Sequence, residues 1–347
     1  MKKKHKRLLS IILCCSMMLG LLPFAAMAED AAPATNPFAD ATTIYVSNNG
    51  TGNGETEATP TTLKEAVAQI NKATQNGDKV PAFIISLTEN LEFPDNTVVK
   101  DGDFTLKNYN TMILGNGHTM ESVIGIKADG TDTNVYLGNA EKNAFTINVD
   151  SDSSPTLAAG NGATIHMYDG VVVHHGPANA HCDSAIALHQ TGKFKMHGGE
   201  ISNCHTLTGT IFADDSSSIT ILGGSIHDNN CISDSDGNGN GGAMYIHDTQ
   251  TTLTDCIVEN NTASRKAGGI YSNPEQNVLT LDGKNLIRNN KAGSGDNAFD
   301  SNLYLEVIGS GETASQSTLF VDENFDKNSN IGVTMETIAG AEENKKP

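Results

Sequence analysis

The sequence contains no Trp, and Phe and Tyr together make up 5% of its 347 residues. An interior built on large interlocking rings is excluded, so the core must be assembled from aliphatic side chains. Cations are scarce as well. Lys and Arg total 22 against 41 Asp and Glu, and beyond residue 7 the arginines are Arg265 and Arg288 alone. The first 28 residues hold five of the cations and no acid, so the other 319 carry 17 cations against 41 acids, a net charge of −24. Such a surface repels phosphate backbones and anionic headgroups, which argues against nucleic acid or a membrane surface as partner. After the N-terminal segment no apolar run is long enough to span a bilayer. What is abundant is Gly, 34 residues, with many Asn, Asp, Ser and Thr. That is a composition of turns and short strands rather than helices, and 37% hydrophobic residues are enough for a core.

The N-terminus reads as an export signal. Lys2-Lys3-Lys4-His5-Lys6-Arg7 precedes an apolar stretch from Leu8 to Phe24, and Ala26-Met27-Ala28 supplies a small-x-small cleavage site before Glu29. The expectation is a signal peptide over 1–28, a solvated leader over 29–42 and no membrane insertion after cleavage. No Leu-Pro-x-Thr-Gly sorting motif is present, so the chain is read as released or as a piece of a larger surface protein.

Self-similarity is the strongest signal in the remainder. Phe194-Lys-Met-His-Gly-Gly-Glu-Ile201-Ser-Asn-Cys, Ile219-Thr-Ile-Leu-Gly-Gly-Ser-Ile226-His-Asp-Asn-Asn, Leu253-Thr-Asp-Cys-Ile-Val258-Glu-Asn-Asn and Leu279-Thr-Leu-Asp-Gly-Lys-Asn-Leu-Ile287-Arg-Asn-Asn share one pattern. Each is an alternating strand, a bend, a second apolar piece and an Asn-rich turn. Anchors at Val172, Ile201, Ile226, Val258 and Ile287 are spaced 29, 25, 32 and 29 apart. A second series, Ile186, Ile211, Met244 and Ile270, lies between them. Short strands in units of this length predict an all-β parallel solenoid over 81–338, one coil per unit, with Asn side chains stacking along the axis. Thr43 to Val46 predicts a strand. Pro60 to Ile70 predicts an amphipathic helix with Leu63, Val67 and Ile70 on one face and Thr61 or Thr62 as N-cap, so residues 43–80 read as an N-terminal cap. Residues 339–347 read as a disordered tail.

The run Tyr45-Val-Ser-Asn-Asn-Gly50 with Pro60-Thr-Thr-Leu63-Lys-Glu-Ala66-Val67 resembles the N-terminal cap of pectate-lyase-like right-handed β-helix proteins. Val258-Glu-Asn-Asn-Thr-Ala with Gly268-Gly-Ile-Tyr271 is similar to polymorphic outer-membrane-protein and autotransporter-adhesin repeats, and Asn302-Leu-Tyr-Leu305 with Ser329 to Met335 to late coils of surface proteins of Gram-positive gut bacteria. The resemblance spans residues 43–338 and implies a right-handed β-helix. It implies no single activity, because that fold carries lyases, hydrolases, epimerases and adhesins alike.

Site chemistry is thin. A lyase of this fold needs a well-placed base, but Arg265 and Arg288 sit beside Asn-rich turns, and a solvated turn cation explains them. A glycosidase needs grouped carboxylates. Asp214-Asp215 is the one Asp-Asp pair and the weak catalytic candidate, with Asp183 a third acid. In a strand the pair would point to opposite faces, so only a bend unites them. Asp234-Ser-Asp236-Gly-Asn238-Gly matches the first half of a Ca²⁺ loop, although Tyr245 stands where its bidentate Glu belongs, and an insertion loop is the preferred account of the segment. Nine of the eleven His fall between 166 and 247. Coil-period pairs expected among them are His174 or His175 with His197, and His181 with His205, a Zn²⁺ or Cu²⁺ option set against polar filling of strand faces. Cys204 and Cys231, each just after an anchor, form the candidate disulfide in an exported chain. The sequence therefore predicts a secreted or surface-displayed, monomeric adhesive β-helix that needs no cofactor, with Ca²⁺ as the candidate ion. Its expected partner is an extracellular glycan or a host or bacterial surface protein. The alternative is a carbohydrate-active enzyme on the same fold.

Overall fold

The computed structural model describes residues 37–73, 82–107, 109–176, 182–232, 238–274, 277–309 and 315–335. From Ala41 onward the chain winds as an all-β parallel solenoid whose coils each contribute to three sheets, of ten, nine and thirteen strands. Sheet 1 begins at Thr42–Val46 and proceeds through Ala82–Leu87, Asn110–Leu114 and so on to Thr318–Val321, every neighbour parallel. Sheet 2 runs from Thr105–Lys107 to Val333–Met335, and sheet 3 starts at Leu91–Phe93. The strand expected to belong to a cap is thus the first rung of sheet 1.

Alternation puts every second side chain inside, where it stacks on its equivalent one coil away. In sheet 1 one interior column reads Ile85, Ile113, Leu137, Met167, Met196, Ile221, Leu253 and Leu281. In sheet 3 it reads Leu91, Met120, Ile147, Val173, Ile201, Ile226, Val258 and Ile287. Ile186, Ile211, Met244 and Ile270 form the column of sheet 2, as their spacing predicts. The anchor at Val172 is corrected by one residue. Val173 aligns with Ile201 and is fully buried, whereas Val172 aligns with Glu200 on the outer face. A one-residue slip exchanges the two faces of a strand, and both candidates were valines.

The corner that follows the sheet 3 column explains the Asn-Asn pairs. Asn203, Asp228, Asn260 and Asn289 all have φ between 53° and 58°. That is the left-handed region, which Asn and Asp tolerate best among residues bearing a side chain. The next residue turns inward. Asn229, Asn261 and Asn290 are completely buried, and their amides form a ladder. Asn261 Oδ1 accepts from Asn229 Nδ2 at 2.9 Å and from its backbone N–H at 3.2 Å, while Asn261 Nδ2 donates to Asn290 Oδ1 at 2.9 Å and to Ile226 O at 2.9 Å. Asn290 repeats the arrangement onto Asn302. Each buried amide is satisfied by the coils on either side, so the polar corner enforces register where aliphatic contacts alone would allow slippage.

Helix α1, Leu63–Lys72, is N-capped by Thr62, whose Oγ1 accepts from Glu65 N at 3.2 Å. It buries Leu63, Ala66, Val67 and Ile70 in the core. Asn71 serves the edge strand Thr105–Lys107 as a missing neighbour would: its Nδ2 donates to Thr105 O at 2.7 Å and its Oδ1 accepts from Lys107 N at 3.0 Å. Satisfying an edge in this way removes a pairing template.

Candidate functional site

The strands of sheet 2 end in turns that stack coil upon coil. Leu188 O accepts from Asp214 N, Ala213 O from His247 N, and Ile246 O from Asn273 N, at 3.0–3.1 Å. His189, Asp214, His247 and Asn273 therefore occupy one outer column. The following residue is left-handed in the first three of these turns: Gln190, Asp215 and Asp248 have φ of 50°, 51° and 49°. This is the bend that Asp214 and Asp215 require if both are to meet one ligand.

The turn brings a histidine to the acidic pair. His189 Nδ1 lies 2.6 Å from Asp214 Oδ1, and one donor atom from each of His189, Asp214 and Asp215 falls within 4.8 Å of the other two. His189 and Asp215 are exposed while Asp214 is half-buried. The backbone is fixed beneath them by Thr191 N donating to Asp215 O and Ser217 N donating to Asp214 O, both at 3.0 Å. Asp183 does not join them. It precedes the strand Ile186–Leu188, at the opposite end of sheet 2, where its carbonyl accepts from Leu207 and Thr208. The pairing of His189 with Asp214 was written in the sequence, since Ile186 and Ile211 are 25 apart and each candidate follows its anchor by three residues.

Beside this column runs a ladder of rings. Phe212, Tyr245, Tyr271 and Tyr304 are register partners on the outer face of sheet 2, with centroids 5.5, 4.9 and 5.9 Å apart, and His189 approaches Phe212 at 5.6 Å. Tyr271 and Tyr304 are buried at its far end. There the Tyr271 hydroxyl donates to Glu306, Lys266 Nζ lies 2.9 Å from the same carboxylate, and the ammonium sits 5.2 Å from the Tyr304 centroid. Phe212 and Tyr245 stay half-exposed.

A second ring stack crosses sheet 1. Tyr136 and His166 are parallel at 4.3 Å, Tyr168 and His197 at 4.5 Å, and His166 Nδ1 is 3.2 Å from His197 Nε2. The expected pairing of His174 or His175 with His197 is therefore corrected to His166 with His197. His197 follows Met196, whose partner one coil back is Met167, so Tyr168 and His166 are the residues it meets. Burial is the main cause holding both imidazoles below their ordinary range, His166 at about 3, so this stack is a neutral filling of the face at physiological pH. Further along the outer face, Thr220, Thr252 and Thr280 form a flat hydroxyl ladder.

The remaining candidates resolve differently. His181, Asp234 and Asp236 lie outside the described residues, and Asn238 is half-buried. Cys204 and Cys231 are free thiols, as are Cys182 and Cys256. Cys204 is aligned with His175 and Cys231 with Thr206, two positions further along the strand, so the expected disulfide would need to bridge two different columns. Burial pushes the Cys182 thiol up to about 11 and those of Cys231 and Cys256 to about 12, which removes them as nucleophiles at neutral pH. Arg288 Nε pairs with Glu259 Oε2 at 2.9 Å across one coil, a structural ion pair rather than a proton acceptor. Two shallow grooves lie elsewhere: about 410 Å³ lined by Tyr45, Glu57, Asn116 and His118 among others, and about 350 Å³ against the last coil. Comparison with protein-family models, curated proteins and solved structures finds no match for this chain.

Proposed function

We propose that the chain is an exported, monomeric β-solenoid that binds an extracellular polymer, a neutral glycan, along the outer face of sheet 2 without cleaving it. One observation carries this reading. The half-exposed rings of Phe212 and Tyr245 stand in register beside His189, Asp214, His247 and Asn273, so apolar and hydrogen-bonding groups recur side by side at the coil spacing. Neighbouring coils are about 4.8 Å apart, and a polymer aligned with the axis meets the same pair of columns repeatedly. Rings tilted 33° to one another at 5.5 Å supply apolar contact while carboxylates and amides accept sugar hydroxyls. The acidic balance favours a neutral polymer over a uronate. A glycan array on the chain lacking residues 1–28 tests the proposal. Binding to a neutral polysaccharide that weakens at least tenfold in Tyr245→Ala supports it, and an array without hits, or hits unaffected by that change, rejects it.

The enzyme alternative keeps one specific support, the bend that sets Asp214 and Asp215 together next to His189. Assays for new reducing ends and unsaturated products on the same polymers separate it from binding alone.

A further inference from the structure

The cluster of His189, Asp214 and Asp215 has chemistry that glycan contact does not use. Its donor set is one imidazole nitrogen and two carboxylates, drawn from two adjacent coils. Ligands on a single tetrahedral ion at metal distances of about 2.0–2.2 Å stand about 3.3–3.6 Å from one another. The His189 Nδ1 to Asp214 Oδ1 separation is 2.6 Å, and all three donor atoms lie within 4.8 Å. Small side-chain rotations on an exposed turn close that set. Asp214 and Asp215 are sequence neighbours that only the left-handed φ of 51° at Asp215 brings to one side, and the Leu188 O and Ser217 N contacts hold the Asp214 backbone in place. The next coil adds His247 to the same column and Asp248 beside Ser216, whose Oγ donates to Asp248 Oδ2 at 3.2 Å.

We propose that His189, Asp214 and Asp215 form a binding site for a divalent transition metal, Zn²⁺, on the outer ridge of the solenoid. Two carboxylates cancel the charge of the dication and a neutral imidazole completes three protein ligands. A tetrahedral ion keeps its fourth position for water or another oxygen from solution. Nδ1 must offer its lone pair to the ion, so the imidazole proton sits on Nε2 and coordination replaces the contact between Nδ1 and Asp214 Oδ1. The imidazole selects against Ca²⁺ and Mg²⁺, which take oxygen ligands and more of them than this turn supplies.

The test is calorimetric titration of the chain lacking residues 1–28 with Zn²⁺, and separately with Ca²⁺ and Mg²⁺, with far-UV circular dichroism on every variant. The expected result is one saturable Zn²⁺ site and no comparable heat from Ca²⁺ or Mg²⁺. Asp214→Asn and His189→Gln should each weaken Zn²⁺ binding at least tenfold with unchanged dichroism. His227→Gln is the decoy, because His227 Nδ1 lies 2.7 Å from Asp228 Oδ2 and its Nε2 lies 3.4 Å from Glu200 Oε1 on the adjacent strand of sheet 3. Absence of Zn²⁺ binding overturns the proposal, and so does binding that survives Asp214→Asn and disappears in His227→Gln. None of these readouts involves a glycan, so they stand or fall apart from the binding function.

Discussion

Two stretches of one corner column differ in a way that reveals what the fold needs. At Asn229, Asn261 and Asn290 the inward corner position is an amide on three successive coils, each hydrogen-bonding the next, and Asn302, 12 residues on, closes the ladder by accepting from Asn290 Nδ2. Toward the N-terminus the same column continues through Cys204 to His175. Cys204 still donates its backbone N–H to Asn229 Oδ1 at 3.0 Å but returns no amide. His175 is wholly buried and shares a hydrogen bond with Thr156 Oγ1 at 3.0 Å through Nδ1, and among the described residues its Nε2 and the Nδ1 of His205 have no hydrogen-bond partner. A residue with both donor and acceptor arms propagates along a coil axis, whereas Cys204 carries no amide and ends the series, and a titratable ring occupies the next coil. The amide coils are fixed by pairing, and the coil of His175 depends on that ring staying neutral.

The largest expected effect ignores that difference and tests the register both halves share. Ile226 stacks between Ile201 and Val258 with 1% of its surface exposed, so Ile226→Asp buries an unpaired charge. A loss of about 5 kcal/mol or more is expected, enough to abolish native far-UV dichroism and the cooperative melt. Retention of both would contradict the alignment. Next comes the ladder itself. Asn261→Ala removes amide bonds to two coils and strands the partners of Asn229 and Ile226, at a cost of about 2–4 kcal/mol in urea unfolding. Cys204→Ala, at the same column position, should cost clearly less, and equal costs would erase the distinction.

Acid sharpens the comparison from the other side. Burial is the main cause lowering His175 to about 4, with His205 adding repulsion, against an ordinary value of 6.5. A group whose folded pKa is depressed in its neutral form gives stability that is complete above pH 6.5 and declines as pH falls toward 4, by about 3 kcal/mol. His166, held at about 3, extends the decline. Melting temperatures should therefore fall across that window, and His175→Asn, which continues the amide column, should flatten the curve. An unchanged slope in that variant would place the acid sensitivity elsewhere. The smallest effect is kinetic. Cys182, Cys204, Cys231 and Cys256 should resist a thiol reagent at pH 8 in the native state and react together in denaturant.

Much of this was legible in the sequence, because a solenoid converts spacing into contact. Ile226, Val258 and Ile287 recur with Asp228-Asn229, Asn260-Asn261 and Asn289-Asn290 behind them, and those pairs are the left-handed corner and the buried ladder. Val172 was misplaced because two adjacent valines are equivalent by composition, and only the pairing partner distinguishes inside from outside. The site was half legible. Asp214 and Asp215 stood out as a pair, yet His189 is recognised as their neighbour only when positions are counted from the sheet 2 anchors instead of those of sheet 3. The Cys204–Cys231 pairing failed for the complementary reason. Both follow sheet 3 anchors, by three and five residues, and that difference of two places them in separate columns.

The claim that the outer columns bind without cutting is tested most directly by incubating the chain lacking residues 1–28 with each polysaccharide it retains. Reducing ends and unsaturated uronates are then quantified against an Asp214→Asn variant. The account predicts bound polymer of unchanged length and no difference in products between the two proteins. New chain ends made by the wild-type sequence and abolished by Asp214→Asn would contradict it and make the turn at His189, Asp214 and Asp215 an active site.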